Sequence, residues 1–149
     1  MGTEKAIVDY VALYRSLGLD GVGCTQRELA EIEAKWGTSL PASYRGFMQV
    51  VGRGGFHPWI GSDYTYPTVL DARDWLLESH AEGGACTELP GNHLVVLSHQ
   101  GYQFLALEAD GSEDPPVVRY SETPGEVARV AARFSDLIRE TSSLGPAGH

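Results

Sequence analysis

Five histidines and two cysteines are the side chains of this sequence best suited to hold a metal or activate a nucleophile: His57, His80, His93, His99, His149, Cys24 and Cys86. Their spacing argues against both uses. No two histidines show the close pairing of a zinc site, and neither cysteine stands in a CxxC pair or a local protease signature. The run Gly52-Arg53-Gly54-Gly55 has the composition of a phosphate cradle. Such a loop leads into a helix, so that free amides at the helix start face the anion. Here the glycines follow a helical stretch and no Lys-Ser or Lys-Thr comes after them, so they read as a helix stop. The serines form no G-x-S-x-G elbow. Asp71 and Asp74 are a carboxylate pair with the right chemistry for proton transfer, but negative charge at a helix start is favourable without any such role. The sequence therefore predicts no catalytic residue, no metal site and no cofactor.

The elements that carry these residues can be read from period and punctuation. Residues 4–17 predict a first helix, with Ile7, Val11 and Tyr14 on one face and Gly18 as its stop. Thr25 to Glu28 is a T-x-x-E capping box, in which side chain and backbone satisfy each other's orphan amides. Leu29, Ile32 and Trp36 follow at helical spacing. Pro41 suits the first position of a third helix with Tyr44, Phe47, Met48 and Val51 inside. TYPTVL, residues 65–70, reads as extended, and residues 71–82 as a helix. HLVVLS, YQFLALEA and VVRYS read as three strands of an antiparallel meander. Thr123-Pro124-Gly125-Glu126 reads as a second capping box opening a helix through Val127, Val130, Phe134, Leu137 and Ile138. The reading is a single α+β domain over 1–149, an antiparallel sheet packed against helices, with its core at about 4–141 and a frayed tail at 142–149. No run of about 18 apolar residues predicts a membrane span, GTEKAIVDY lacks the apolar stretch of a signal peptide, and the sparse cysteines fit a reducing cytoplasm.

Charge is the informative feature. The net charge is −9, and residues 61–116 hold ten acids against one strong base, Arg73, which is the whole imbalance. Such a pole repels nucleic acid and attracts basic proteins. Within it, Asp71, Asp74, Glu78 and Glu82 fall at i, i+3, i+7 and i+11, on one narrow helical stripe. The like charges four apart cost about 0.2–0.5 kcal/mol each. The stripe fits two uses, a solvated face and a surface built to meet a positive partner. Just before it, Trp59, Asp63, Tyr64 and Tyr66 crowd together. They too fit two uses, packing at the sheet edge and the aromatic anchors of an interface.

The stretch ELAEIEAKWGTSLPASYRGFMQVVGRGG resembles the signature of the SUKH superfamily, also called the Smi/Knr family. The matching residues are Glu33, Gly37, Leu40, Pro41, Tyr44, Phe47 and Gly54-Gly55. YQFLALEADGSEDPPVVRY and VARVAARFSDLIRE resemble its last strands and closing helix. The resemblance implies an α+β fold and, for many bacterial members, an immunity protein that neutralises a cognate toxin, often a nuclease or deaminase. Other relatives are regulatory scaffolds. On that reading the partner is a toxin with a basic active-site surface, met by Trp59, Asp63, Tyr64, Tyr66, Asp71, Asp74, Glu78 and Glu82.

Overall fold

The computed structural model describes residues 2–59, 61–82, 89–100, 103–121 and 127–144. Three helices come first: α1 (Gly2–Ser16), α2 (Gln26–Trp36) and α3 (Ala42–Val51). α3 is the centre of the molecule. Tyr44, Phe47, Met48 and Val51 are all buried, as their helical spacing predicts. α1 crosses it closely, because Gly46 leaves room: a Cβ there would come within 3.0 Å of the Tyr10 Cβ. Tyr14, fully buried at this crossing, donates its hydroxyl to the Ser43 carbonyl at 2.7 Å.

The capping box at Thr25 and Glu28 is formed, and Gly37 ends α2 in the left-handed region at φ 72°. Glu33 then fastens the turn that follows. One of its carboxylate oxygens accepts from the Leu40 amide at 2.9 Å and from Arg45 at 3.1 Å, tying α2, the Leu-Pro turn and α3 together. Pro41 lies one position earlier than its spacing suggests. Its ψ of 144° is extended, so it flanks the helix that begins at Ala42. The first-turn amide of Ser43 is satisfied from afar, by the Glu113 carbonyl at 2.9 Å. The GRGG run is a helix stop and a clasp. Arg53 donates its amide to the Val22 carbonyl at 2.8 Å, and the Val22 amide donates back to Gly54 at 3.0 Å.

Two expectations fail between residues 65 and 134. TYPTVL is not a strand: Thr68–Asp71 is a 3-10 turn leading into α4 (Ala72–Glu82). The Val69 amide bonds to Thr65 and the Leu70 amide to Pro67, and Val69, Ala72 and Leu76 turn inward at spacings of three and four. A proline cannot donate to a ladder, so the apolar residues here serve a helical period. The helix expected after residue 126 is displaced as well. Val127–Ala131 is a strand, and the closing helix α5 begins at Phe134 and runs to Leu144. Its cap comes from a distant loop: Asp114 accepts from the Ser135 amide at 2.9 Å, and Pro115 from the Phe134 amide at 2.8 Å. Thr123 to Glu126, the expected box, lies outside the described residues.

The sheet is an antiparallel meander of β1 (His93–His99), β2 (Gln103–Glu108), β3 (Val117–Tyr120) and β4 (Val127–Ala131), in that order. The three predicted strands are present, and β4 adds an edge. Alternation along the strands builds two apolar clusters. Leu94, Val96, Leu107 and Val117 join the larger one, with α1, α2, α3 and α5. Val95, Phe104, Ala106, Val118 and Tyr120 join the smaller one, where α4 contributes Ala72 and Leu76. The fold is α+β, with helices on both faces of the sheet.

Candidate functional site

α4 lays its apolar side on the smaller cluster through Ala72 and Leu76, with Trp75 partly buried beside them. This leaves Asp71, Asp74 and Glu78 exposed on the other side. The side chain of Glu82 lies outside what is described. The helix's own base does not neutralise the stripe: Arg73 turns toward the sheet and donates to the His93 carbonyl at 3.4 Å. One compensation was not legible from spacing. Lys35 of α2 stands 3.8 Å from Asp74, with both side chains about half exposed. A pair so exposed is worth little, at most about 1 kcal/mol. Among the described residues, the side chains of Asp71 and Glu78 have neither an ion pair nor a hydrogen bond.

Three other acids of the negative segment serve the architecture. Glu108 pairs with Arg129 at 2.7 Å. Asp114 caps α5. Asp110 accepts from the Ser112 amide at 3.0 Å, and hydrogen bonds from Ser112 hold its carboxyl below the usual range. The described acids of the pole thus divide into Glu108, Asp110 and Asp114, put to structural use around the β2–β3 loop, and exposed ones. Of the exposed ones, Asp71, Asp74 and Glu78 share the α4 stripe, and Asp63 and Glu113 lie apart from it.

The aromatic residues divide too. Trp59 is only 8% exposed and packs edge-on against Phe47, Phe56 and Tyr64 at 5.0–5.4 Å between ring centroids. Tyr64 is buried, accepts from the Phe56 amide at 3.2 Å and donates to the Val51 carbonyl at 3.1 Å. Burial pushes its phenol up. These two are core residues with most of their ring area consumed internally, and what is left of Trp59 lines a cleft with Leu97 and Leu105. Tyr66 is half-buried and donates to Glu31 at 2.7 Å, a bond that raises its pKa, while Arg53 sits over its ring at 5.7 Å. Asp63 holds the end of β1 through its backbone, exchanging hydrogen bonds with Ser98 at 2.7 and 2.9 Å, and leaves its side chain exposed.

The groups suited to chemistry are dispersed. His93 is buried with Nδ1 2.6 Å from the Tyr120 hydroxyl, and burial lowers its pKa. His99 Nδ1 is 2.8 Å from Ser62 Oγ, a pairing across 37 positions that no spacing rule reveals. Cys24 is buried, and its thiol is pushed up to about 11, chiefly by desolvation. Cys86, His149 and the side chain of His80 lie outside the described residues. Among the described residues no three His, Cys, Asp or Glu side chains gather as a metal-binding group.

Glu33, the Leu-Pro turn, α3, the meander and α5 form one continuous framework, and the model of the SMI1 / KNR4 family (SUKH-1) matches residues 23–140. The chain belongs to this family. In the SUKH-1 framework seen here, the signature glutamate is the clamp between α2 and α3, and Tyr44 and Phe47 are core. None of these is available for recognition. Membership is consistent with a protein of the immunity type. No curated protein matches the chain.

Proposed function

We propose that the protein is a non-enzymatic immunity protein of the cytoplasm. It would neutralise a cognate bacterial toxin of nuclease or deaminase type by covering the toxin's basic active-site surface with the acidic face of α4. The observation that carries this reading is the division of charge. Glu108, Asp110 and Asp114 cap and pair within the fold, whereas Asp71 and Glu78 lie exposed on one helical stripe and, among the described residues, are unengaged. The Asp63 side chain is exposed as well, and Arg73 is turned away from the stripe. A toxin that grips nucleic acid needs a basic groove to hold phosphates. An acidic surface competes for that groove, and long-range attraction speeds the encounter, which suits an inhibitor. No helix among the described residues is long and apolar enough to cross a membrane, which fits a partner met in solution.

The test is association kinetics at two salt concentrations, with a nuclease or deaminase toxin domain sought among the neighbouring genes. The variant is Asp71→Lys with Glu78→Lys, chosen over Asp74 because a lysine there would face Lys35. The on-rate should fall by about tenfold or more and depend less steeply on salt. Equal on-rates and equal salt slopes would place the binding surface elsewhere. Failure of the wild-type protein to protect a cell that expresses the toxin would remove the immunity reading itself.

A further inference from the structure

At the end of the sheet where β1 gives way to β2, a cleft of about 260 Å³ opens beside the turn at His57–Trp59. Its walls include Trp59, Leu97 and Leu105. Its polar lining among the described residues is Ser62, His99, Gln103 and Arg119, with no acid among them. In a protein of net charge −9, a cleft whose described lining holds an arginine and no carboxylate is a local reversal of sign.

Strand register makes this cleft. Leu97 pairs with Leu105 across β1 and β2, and Leu105 pairs with Arg119 across β2 and β3. Two leucines and an arginine therefore stand side by side on one face. The Arg119 side chain is exposed and, among the described residues, makes no hydrogen bond or ion pair. Arg129 on the neighbouring strand is instead held by Glu108 at 2.7 Å. On the opposite wall Trp59 is fixed by three ring contacts, and Ser62 and His99 lock each other at 2.8 Å. The apolar walls and the Ser62–His99 pair are thus preorganised, and the guanidinium is free.

We propose that this cleft binds a carboxylate carried on an apolar body, the chemistry of a free aromatic or branched acid or of a peptide C-terminus. Arg119 presents a planar fork that matches a carboxylate with two parallel hydrogen bonds. The Gln103 amide adds a neutral donor, and Trp59, Leu97 and Leu105 receive the body of the ligand. The volume equals about nine waters at roughly 30 Å³ each, enough for one side chain. Inorganic phosphate is a poorer fit, since it is compact, carries more charge and leaves the apolar walls uncovered. The inference is independent of the toxin-binding reading, because it concerns another face and needs no toxin for its test.

The experiment titrates the ¹⁵N-labelled full chain with benzoate, N-acetylphenylalanine, N-acetylphenylalaninamide and inorganic phosphate, following the Trp59 indole and Gln103 amide signals by NMR. Saturable shifts with either carboxylate support the site. Tighter binding of benzoate assigns it to a free acid, and tighter binding of N-acetylphenylalanine to a peptide C-terminus. Arg119→Gln, at an exposed position, should keep the dispersed spectrum and weaken the carboxylate by about tenfold or more, as loss of a charged hydrogen-bond partner does. Overturning results are an absence of saturable shifts, equal binding of the amide, equal binding of phosphate, or an Arg119→Gln variant that binds as tightly as wild type.

Discussion

α2 and α4 are both helices of 11 residues, and both carry several acids, yet they use them in opposite ways. On α2 each acid has work within the fold. Glu28 closes the capping box and pairs with Arg53, Glu31 accepts from Tyr66, and Glu33 holds the Leu40 amide and Arg45. On α4 the one described ion pair is an exposed contact between Asp74 and Lys35, and Asp71 and Glu78 have none. The difference shows that acidity alone does not mark a surface for binding. What separates structural charge from spare charge is whether a buried or constrained donor depends on it.

That distinction can be broken or sharpened by substitution. The largest effect belongs to the framework both helices rest on. Tyr44→Ala should cost about 3–5 kcal/mol in urea unfolding, as truncation of a buried aromatic does. Tyr44→Phe should cost nothing or stabilise slightly, because the buried Tyr44 hydroxyl has no hydrogen-bond partner among the described residues. An unchanged melting temperature for Tyr44→Ala would refute the core assignment. Next comes the structural acid. Glu33→Ala removes the acceptor of a backbone amide and of a half-buried arginine, and should cost about 1.5–3 kcal/mol. A cost below that of an ordinary surface substitution would erase the contrast with α4.

A smaller effect should appear with pH at His93, on the sheet beneath α4. Its Nδ1 faces Tyr120, its Nε2 lies 4.0 Å from Glu108, and Arg73 is nearby. Burial lowers its pKa, with Glu108 opposing. Above the ordinary histidine value of about 6.5 the ring is neutral in both states and contributes no pH dependence. Below it the unfolded chain takes up a proton that the folded chain resists, so stability falls as pH drops. Unfolding free energy measured between about pH 7 and pH 5.5, above the ordinary carboxylate range, should decline for the wild type and flatten in His93→Gln. The smallest effect is on the spare acids. Asp71→Lys with Glu78→Lys should leave stability within about 0.5 kcal/mol, even where toxin association collapses. A loss comparable to that of Glu33→Ala would show that these acids are structural after all.

Much of the framework was legible because its signals are local. Thr25 and Glu28 are three residues apart, Gly37 follows its helix directly, and the meander's strands pair with sequence neighbours. What failed depended on distance. The start of α5 is set by Asp114, 21 positions before Ser135, so the nearer Thr-Pro-Gly-Glu drew the helix too early. Residues 65–70 have β-branched composition, but their inward side chains answer to the cluster under α4. On the candidate surface, the stripe of Asp71, Asp74 and Glu78 was readable from helical period. The burial of Trp59 and Tyr64 was not, since Phe47, which packs against both, comes from α3. The Ser62–His99 pair and the row that ends in Arg119 are products of strand register, which spacing does not encode.

The seam between the loop at 20–24 and the turn at 52–55 has a consequence for how such a sequence can drift. Backbone lies directly on backbone there: a Cβ on Gly21 would come 2.8 Å from the Gly55 Cα, and one on Gly55 would come 2.5 Å from the Gly21 Cα. Surface loops are ordinarily where homologues vary most freely. Here two loops are as constrained as the interior, and by an absence of side chains, so no enlargement on one strand of the seam can be matched by a reduction on the other. Lineages descending from this chain can reshape the exposed outer face of α4, while these small residues stay as they are.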